Sequence, residues 1–245
     1  MFVIEFGVNH LGKIEYLNKM LNFYLNSSFK MATLMIHNKE YYDINPKHKI
    51  ERRDYVKVIK RCKQKGKKIG LSVCDLETFN YVKDLNFDFY KLLSISNINK
   101  ELIEGIKKKK KHVYISTGLS NDKKIKKSVK LFKNYKRKTF LHTPMTYNSK
   151  NLNFKRINEL KNMLKKEIGY SNHNNNLNTI YALSSYLPKI IFIYTKPIDS
   201  YKLTFPDNDH AFHFNKLEEI KRNYIECLNS HKKNNKSIRK TNIFK

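Results

Sequence analysis

The 245-residue sequence predicts a single (β/α)8 barrel, an α/β fold of the TIM type, and three observations carry that prediction. Short apolar segments of strand length alternate with segments whose apolar residues recur every three or four positions. The alternation repeats eight times between residues 2 and 230, which suits a barrel of this kind. Polar residues gather at the carboxyl ends of successive strands, the face on which such barrels carry their sites.

The strand segments, in order, are FVIEFG (2–7), MATLMI (31–36), KIGLSV (68–73), FYKLL (89–93), HVYIST (112–117), TFLHT (139–143), IGYS (168–171) and IIFIYT (190–195). Between them run helical patterns: YLNKMLNFYL (16–25), DYVKVIKRC (54–62), LETFNYVKDL (76–85), KKIKKSVKLF (123–132), NFKRINELKNML (153–164) and LNTIYALSSYL (177–187). KLEEIKRNYIECL (216–228) closes the series, and the lysine run 107–111 suits the solvated end of the fourth helix. Strands that each precede a crossover helix pair in parallel. An open doubly wound sheet would want a glycine-rich phosphate loop after its first strand, and GVNHLG is not one. Residues 1–230 therefore form the barrel, and 231–245, charged and without apolar period, a basic disordered tail.

Lysine and arginine number 50 against 21 acids, a net charge of +29. The lysines are spread over the whole chain with no aromatic-interleaved motif, so they read as a solvated surface rather than a nucleic-acid footprint. Cys62, Cys74 and Cys227 have neither disulfide nor zinc spacing. Nothing here resembles a signal peptide and no apolar run approaches membrane-spanning length, so the expected location is the cytoplasm.

Glu5 stands inside an apolar strand, where a carboxylate must be paired, protonated or used. With Asn9 and His10 it marks the first strand end. The fourth strand gives Lys91 and Ser94, the fifth Ser116, Thr117 and Gly118, and the sixth His142, Thr143 and Tyr147. Ser171, Asn172 and His173 end the seventh; Thr195, Lys196 and Asp199 the eighth. Lysine, serines and asparagines on one rim make an anion site, and histidines and acids beside it suit a divalent metal.

The motifs IEFGVNHLG, DLETFNYVKDLNFDFYKLLS, ISTGLSNDKKI, LHTPMTY, NLNFKRINELK, GYSNH and DNDHAFHF, in this order from residue 2 to about 229, resemble the sialic acid synthase family. Those enzymes condense phosphoenolpyruvate with an N-acetylated hexose to a nonulosonic acid in carbohydrate biosynthesis. The resemblance implies phosphoenolpyruvate binding by Lys91, Ser94, Ser116, Asn153 and Ser171, and sugar contacts from Tyr147 and Asp209. It makes Glu5 and His173 the catalytic pair, with His173 also one of two histidines holding Mn2+ or Mg2+.

Several positions depart from the family pattern. Thr195 falls where the second metal histidine is expected, so the metal site is expected to be weak or lost. Thr33 and Met35 replace the lysine and glutamine of the second strand, and Val73 a phosphate-binding threonine. Ser96 and Asn172 stand where acids are usual. The family's C-terminal antifreeze-like domain is expected to be absent, so either a separate lid chain covers the sugar or the activity is altered; the resemblance implies a homodimer. It also leaves a second reading open: a degenerate, non-catalytic homologue that binds a sugar or phosphate ligand.

Overall fold

The computed structural model describes residues 1–198 and 204–231; Asp199 and the basic tail beyond His231 lie outside the described residues. Eight parallel strands follow one another in chain order: β1 (Phe2–Glu5), β2 (Met31–Ile36), β3 (Lys68–Val73), β4 (Phe89–Leu92), β5 (His112–Ser116), β6 (Lys138–His142), β7 (Gly169–Ser171) and β8 (Ile191–Lys196). The sheet closes because β1 pairs with β8, Phe2 opposite Ile191 and Glu5 opposite Tyr194. A ninth strand of two residues, β9 (Phe212–His213), is added to the end of β8. The barrel expected from the sequence is thus the fold observed.

The helices are α1 (Ile14–Asn26), α2 (Lys39–Ile44), α3 (Arg52–Gln64), α4 (Leu76–Val82), α5 (Lys100–Lys108), α6 (Asp122–Leu131), α7 (Lys155–Leu164), α8 (Leu177–Ala182) and α9 (Leu217–Ser230). Each of the longer ones buries one stripe. In α1 it is Tyr16, Leu17, Met20, Leu21, Tyr24 and Leu25, spaced three and four apart. Asp75, Asn99 and Asn121 cap α4, α5 and α6 by accepting the N–H of the third residue on, one structural use of an asparagine-rich composition. The last turn of α5 carries Lys107 and Lys108, as the lysine run suggested. The short α2 and β9 were not foreseen. Among the described residues no helix is long and apolar enough to cross a membrane.

The period of two along a strand sorts side chains between lumen and helix layer. Val3, Met31, Phe89, Tyr114, Leu141, Ile190 and Phe192 fill the lumen as one cluster. The Tyr114 ring meets Phe89 and Phe192 edge-on, with centroids 5.5 and 5.0 Å away. Gly70 leaves room for Phe89: a Cβ there would fall on its ring. Two residues further along the same inward rows, the apolar filling gives way to Glu5, Thr33, Lys91, Ser116, Thr143 and Tyr194. The change from apolar to polar along one face marks the carboxyl end of the barrel as the site.

Candidate active site

Glu5 is paired. The Lys91 ammonium donates to both of its carboxylate oxygens, at 2.7 and 2.6 Å, and to Ser171 Oγ at 2.9 Å. Both charged side chains are 1% exposed, and the ammonium also lies 5.0 and 5.4 Å from the ring centres of Phe192 and Tyr194. Burial pushes the Glu5 carboxyl up and the Lys91 amine down, each shift opposed by the partner's charge. The pair is therefore poised for proton movement, since both ionised groups are costly where they stand.

Above Lys91 the barrel mouth opens into a cleft of about 330 Å³. One wall is apolar and comes from the loops after β4, β5 and β6: Ile95, Leu119, Met145 and Tyr147, each more than half exposed. A polar wall, with His37, Asn38, Asp207 and His210, adjoins it where Tyr147 meets His210. Ser94, Ser116 and His173 line the cleft beside Lys91. Ser94 Oγ accepts the Gly118 N–H at 2.8 Å, whereas the buried Ser116 hydroxyl has no partner and is open to a ligand.

The polar wall is held by the turn after β1. Asn9 donates through Nδ2 to the Thr195 carbonyl at 2.8 Å, and its Oδ1 accepts the Asp207 N–H at 3.1 Å. Gly7, at φ +55°, lets the Asp207 carboxylate lie directly against the backbone; a Cβ would collide with it. Burial, reinforced by the Glu5 charge, pushes the Asp207 carboxyl up to about 7 despite Lys91. His210 is pushed down to about 4 by burial and then by Lys91, and burial also holds His173 well below the usual range. Tyr147 stacks on His210, centroids 5.7 Å apart.

Lys91, Ser94, Ser116, Tyr147 and His173 thus meet in one cleft, although they come from four regions of the chain. Glu5 and Ser171 sit one layer below and reach it through Lys91. Two expected ligand contacts do not join them. Asn153 is exposed beside α7, and Asp209 is exposed, with Asp207 in the cleft in its place. His142 faces away and bonds the Leu152 carbonyl. Thr195 is a correction: its side chain points out of the lumen and donates to the Phe212 carbonyl at 3.0 Å. The inward residue next to His173 is Tyr194, since a shift of one along a strand reverses the face. The sequence reading missed Tyr194, Asp207 and His210; strand parity would have found the first, and only the polar loop PDNDHAFHF hinted at the others.

A divalent metal can be tested against the donors present. His173 and His210 lie side by side, ring centroids 4.8 Å apart, and His210 Nε2 is 3.5 Å from Asp207 Oδ1. His173 Nδ1, both nitrogens of His210 and Asp207 Oδ2 are buried without a hydrogen-bond partner. Such orphaned lone pairs fit a cation with two imidazole ligands and water. Among the described residues no three His, Cys, Asp or Glu side chains already converge on one point.

The NeuB family model matches residues 18–234. The barrel superposes on the N-acetylneuraminic acid (sialic acid) synthetase of Leptospira borgpetersenii with a TM-score of 0.86 at 18% identity, over 96% of this chain and 87% of that one. A spore coat polysaccharide biosynthesis protein of Bacillus subtilis gives 0.80 at 14% identity, over 93% and 67%. The truncated 3-deoxy-D-arabino-heptulosonate 7-phosphate synthase of Thermotoga maritima gives 0.69 at 13%, over 94% and 87%. At these identities the structural likeness establishes the barrel. No curated protein matches the sequence significantly.

Proposed function

The chain belongs to the NeuB family, and from that premise we propose that it joins phosphoenolpyruvate to an N-acetylated hexose, making a nonulosonic acid for carbohydrate biosynthesis. The observation that carries the reading is the convergence of Lys91, Ser94, Ser116 and His173 on one cleft above Glu5. In the reaction, C3 of phosphoenolpyruvate attacks the sugar aldehyde carbon, water adds at C2, and phosphate leaves with C–O cleavage. The free Ser116 hydroxyl and the Lys91 ammonium supply donors for the phosphate and carboxylate. When the ammonium turns to the ligand, Glu5 loses its partner and becomes a proton acceptor in an apolar setting. The apolar wall of Ile95, Leu119 and Met145 suits the acyl methyl of an N-acetylated sugar, and Tyr147 its ring face. A divalent cation, when bound, polarises the aldehyde oxygen. The exposed rim suits closure by a second copy or a separate lid chain, and cytoplasmic location fits the use of phosphoenolpyruvate.

A second reading, a barrel that binds such a ligand without turning it over, is favoured by one observation. Lys91 is already neutralised by Glu5, and no other lysine or arginine lines the cleft among the described residues. Phosphate release from phosphoenolpyruvate, measured with a panel of N-acetylated hexoses with and without Mn2+, separates the two. Sugar-dependent release is the expected result. Binding of phosphoenolpyruvate by calorimetry without release supports the second reading, and no binding at all defeats both.

A further inference from the structure

We propose that His210, on the loop between β8 and β9, is the second imidazole of a divalent-metal site whose first ligand is His173, with Asp207 orienting His210. The assignment rests on the synthase reading only for the kind of ion, not for the site itself.

The argument starts from unmade hydrogen bonds. Eleven buried side-chain atoms among the described residues lack a partner, and four of them belong to His173, His210 and Asp207. Leaving a buried polar atom unpaired costs about 1–3 kcal/mol. Asp207 Oδ2 lies against Gly7 and His210 Nε2 faces Asp207 Oδ1, which leaves His173 Nδ1 and His210 Nδ1, in adjoining rings, to call for an occupant. The composition of the set says which. A neutral imidazole offers one lone pair and one N–H, and an ionised carboxylate offers only lone pairs. Two imidazoles and a carboxylate are thus rich in lone pairs and poor in hydrogens. That suits a cation flanked by water better than water alone.

Geometry divides the roles. His210 Nε2 faces Asp207 Oδ1 at 3.5 Å, so the carboxylate can fix the ring and leave Nδ1 for the ion. His173 Nδ1, the matching free atom, belongs to the adjoining ring, 4.8 Å away between centroids. The loop is clamped to β1 and β8 through Asn9 at both ends of its side chain. Gly7 admits the carboxylate that backs the ring. Strand β8 offers no alternative, because Tyr194 occupies the inward position there and Thr195 faces the outer layer. The ion would also correct the charge of the cleft, whose one lysine among the described residues is bound to Glu5.

Mn2+ titration of the full chain, followed by EPR, tests the assignment without substrate. The wild type should take up one ion, and pulsed EPR should count two coordinated imidazole nitrogens. His210→Ala and His173→Ala should each weaken uptake by at least ~10-fold, since even the loss of an orienting group costs about 10- to 100-fold, and should leave one coupled nitrogen. Asp207→Asn should weaken uptake by about 10- to 100-fold with both nitrogens retained. His213→Ala, in the adjoining strand β9 and outside the cleft lining, should bind like wild type. Thermal melts show that each variant is folded before its uptake is scored. Wild-type protein that takes up no Mn2+ at millimolar concentration, or a folded His210→Ala variant that binds as wild type with two nitrogens, overturns the assignment. Failure of the synthase reading would look different: metal uptake intact, with no phosphate released from phosphoenolpyruvate.

Discussion

At the scale of single residues the buried pair of Glu5 and Lys91 has a measurable signature. Removing one partner of a buried ion pair strands the other, at a cost of about 3–5 kcal/mol, whereas apolar replacement of both is often neutral. Lys91→Met should therefore lower the urea-unfolding free energy by about that amount, and Glu5→Leu with Lys91→Met by far less. A single variant that loses under ~1 kcal/mol would mean that the pair is solvated. The sequence announced Glu5 as an acid with a task, because a carboxylate between Ile4 and Phe6 admits few explanations. It did not announce the partner, which lies 86 positions away. Nor did motif order reveal which of Tyr194 and Thr195 faces the lumen. Facing is set by the parity of each strand relative to its neighbours, and a motif comparison that slips by one residue reverses it.

Among the elements, the eight strands were legible because burial on both faces makes them short, continuous apolar runs. Helices such as α1 were legible through their three- and four-residue spacing. The six-residue α2 is too short for a period to show, and β9 exists only because β8 offers it an edge. The loop from 204 to 211 illustrates the same limit. Its chemistry is carried by polar residues with no periodicity, so the sequence exposed its composition but not that Asp207 and His210 turn inward while Asp209 turns out. The tie that fixes it is testable. Asn9 is fully buried and satisfied at both ends by the loop and β8. Asn9→Ala should destabilise the fold by about 1–3 kcal/mol through the groups left unpaired. Amide exchange in residues 204–211 should rise well above that in β1 and β2. Uniform exchange across the barrel would show that Asn9 supports the whole fold and not this loop in particular.

For the whole molecule, closure of β1 on β8 turns eight local patterns into one site, and it also sets how the fold responds to pH. Burial pushes His10 and His210 down to about 4 and His173 well below the usual range. Unfolding restores an imidazole pKa of about 6.5, so between about pH 4 and 6.5 each of these side chains takes up a proton only when the chain unfolds. The unfolded state then binds more protons, and stability from this source rises with pH. Asp207 acts the other way: its folded value of about 7 lies above its unfolded one, so its contribution is present at low pH and lost as pH rises toward 7. Glu5, raised by burial, has the same sign. Three imidazoles oppose two carboxylates, and the lowered His37, His48, His112 and His142 add to the first side. The balance predicts acid lability: in metal-free buffer the unfolding free energy should climb between pH 4.5 and 6.5, with a slope of at least one net proton, about 1.4 kcal/mol per pH unit. His10 isolates the effect, since it is buried but does not line the cleft, with Nδ1 accepting the Gly12 N–H and Nε2 unpartnered. His10→Gln should reduce the slope by about one proton while leaving Mn2+ uptake in place. Stability that falls across this window, or a slope untouched by His10→Gln, would show that the buried imidazoles do not govern the acid response of the barrel.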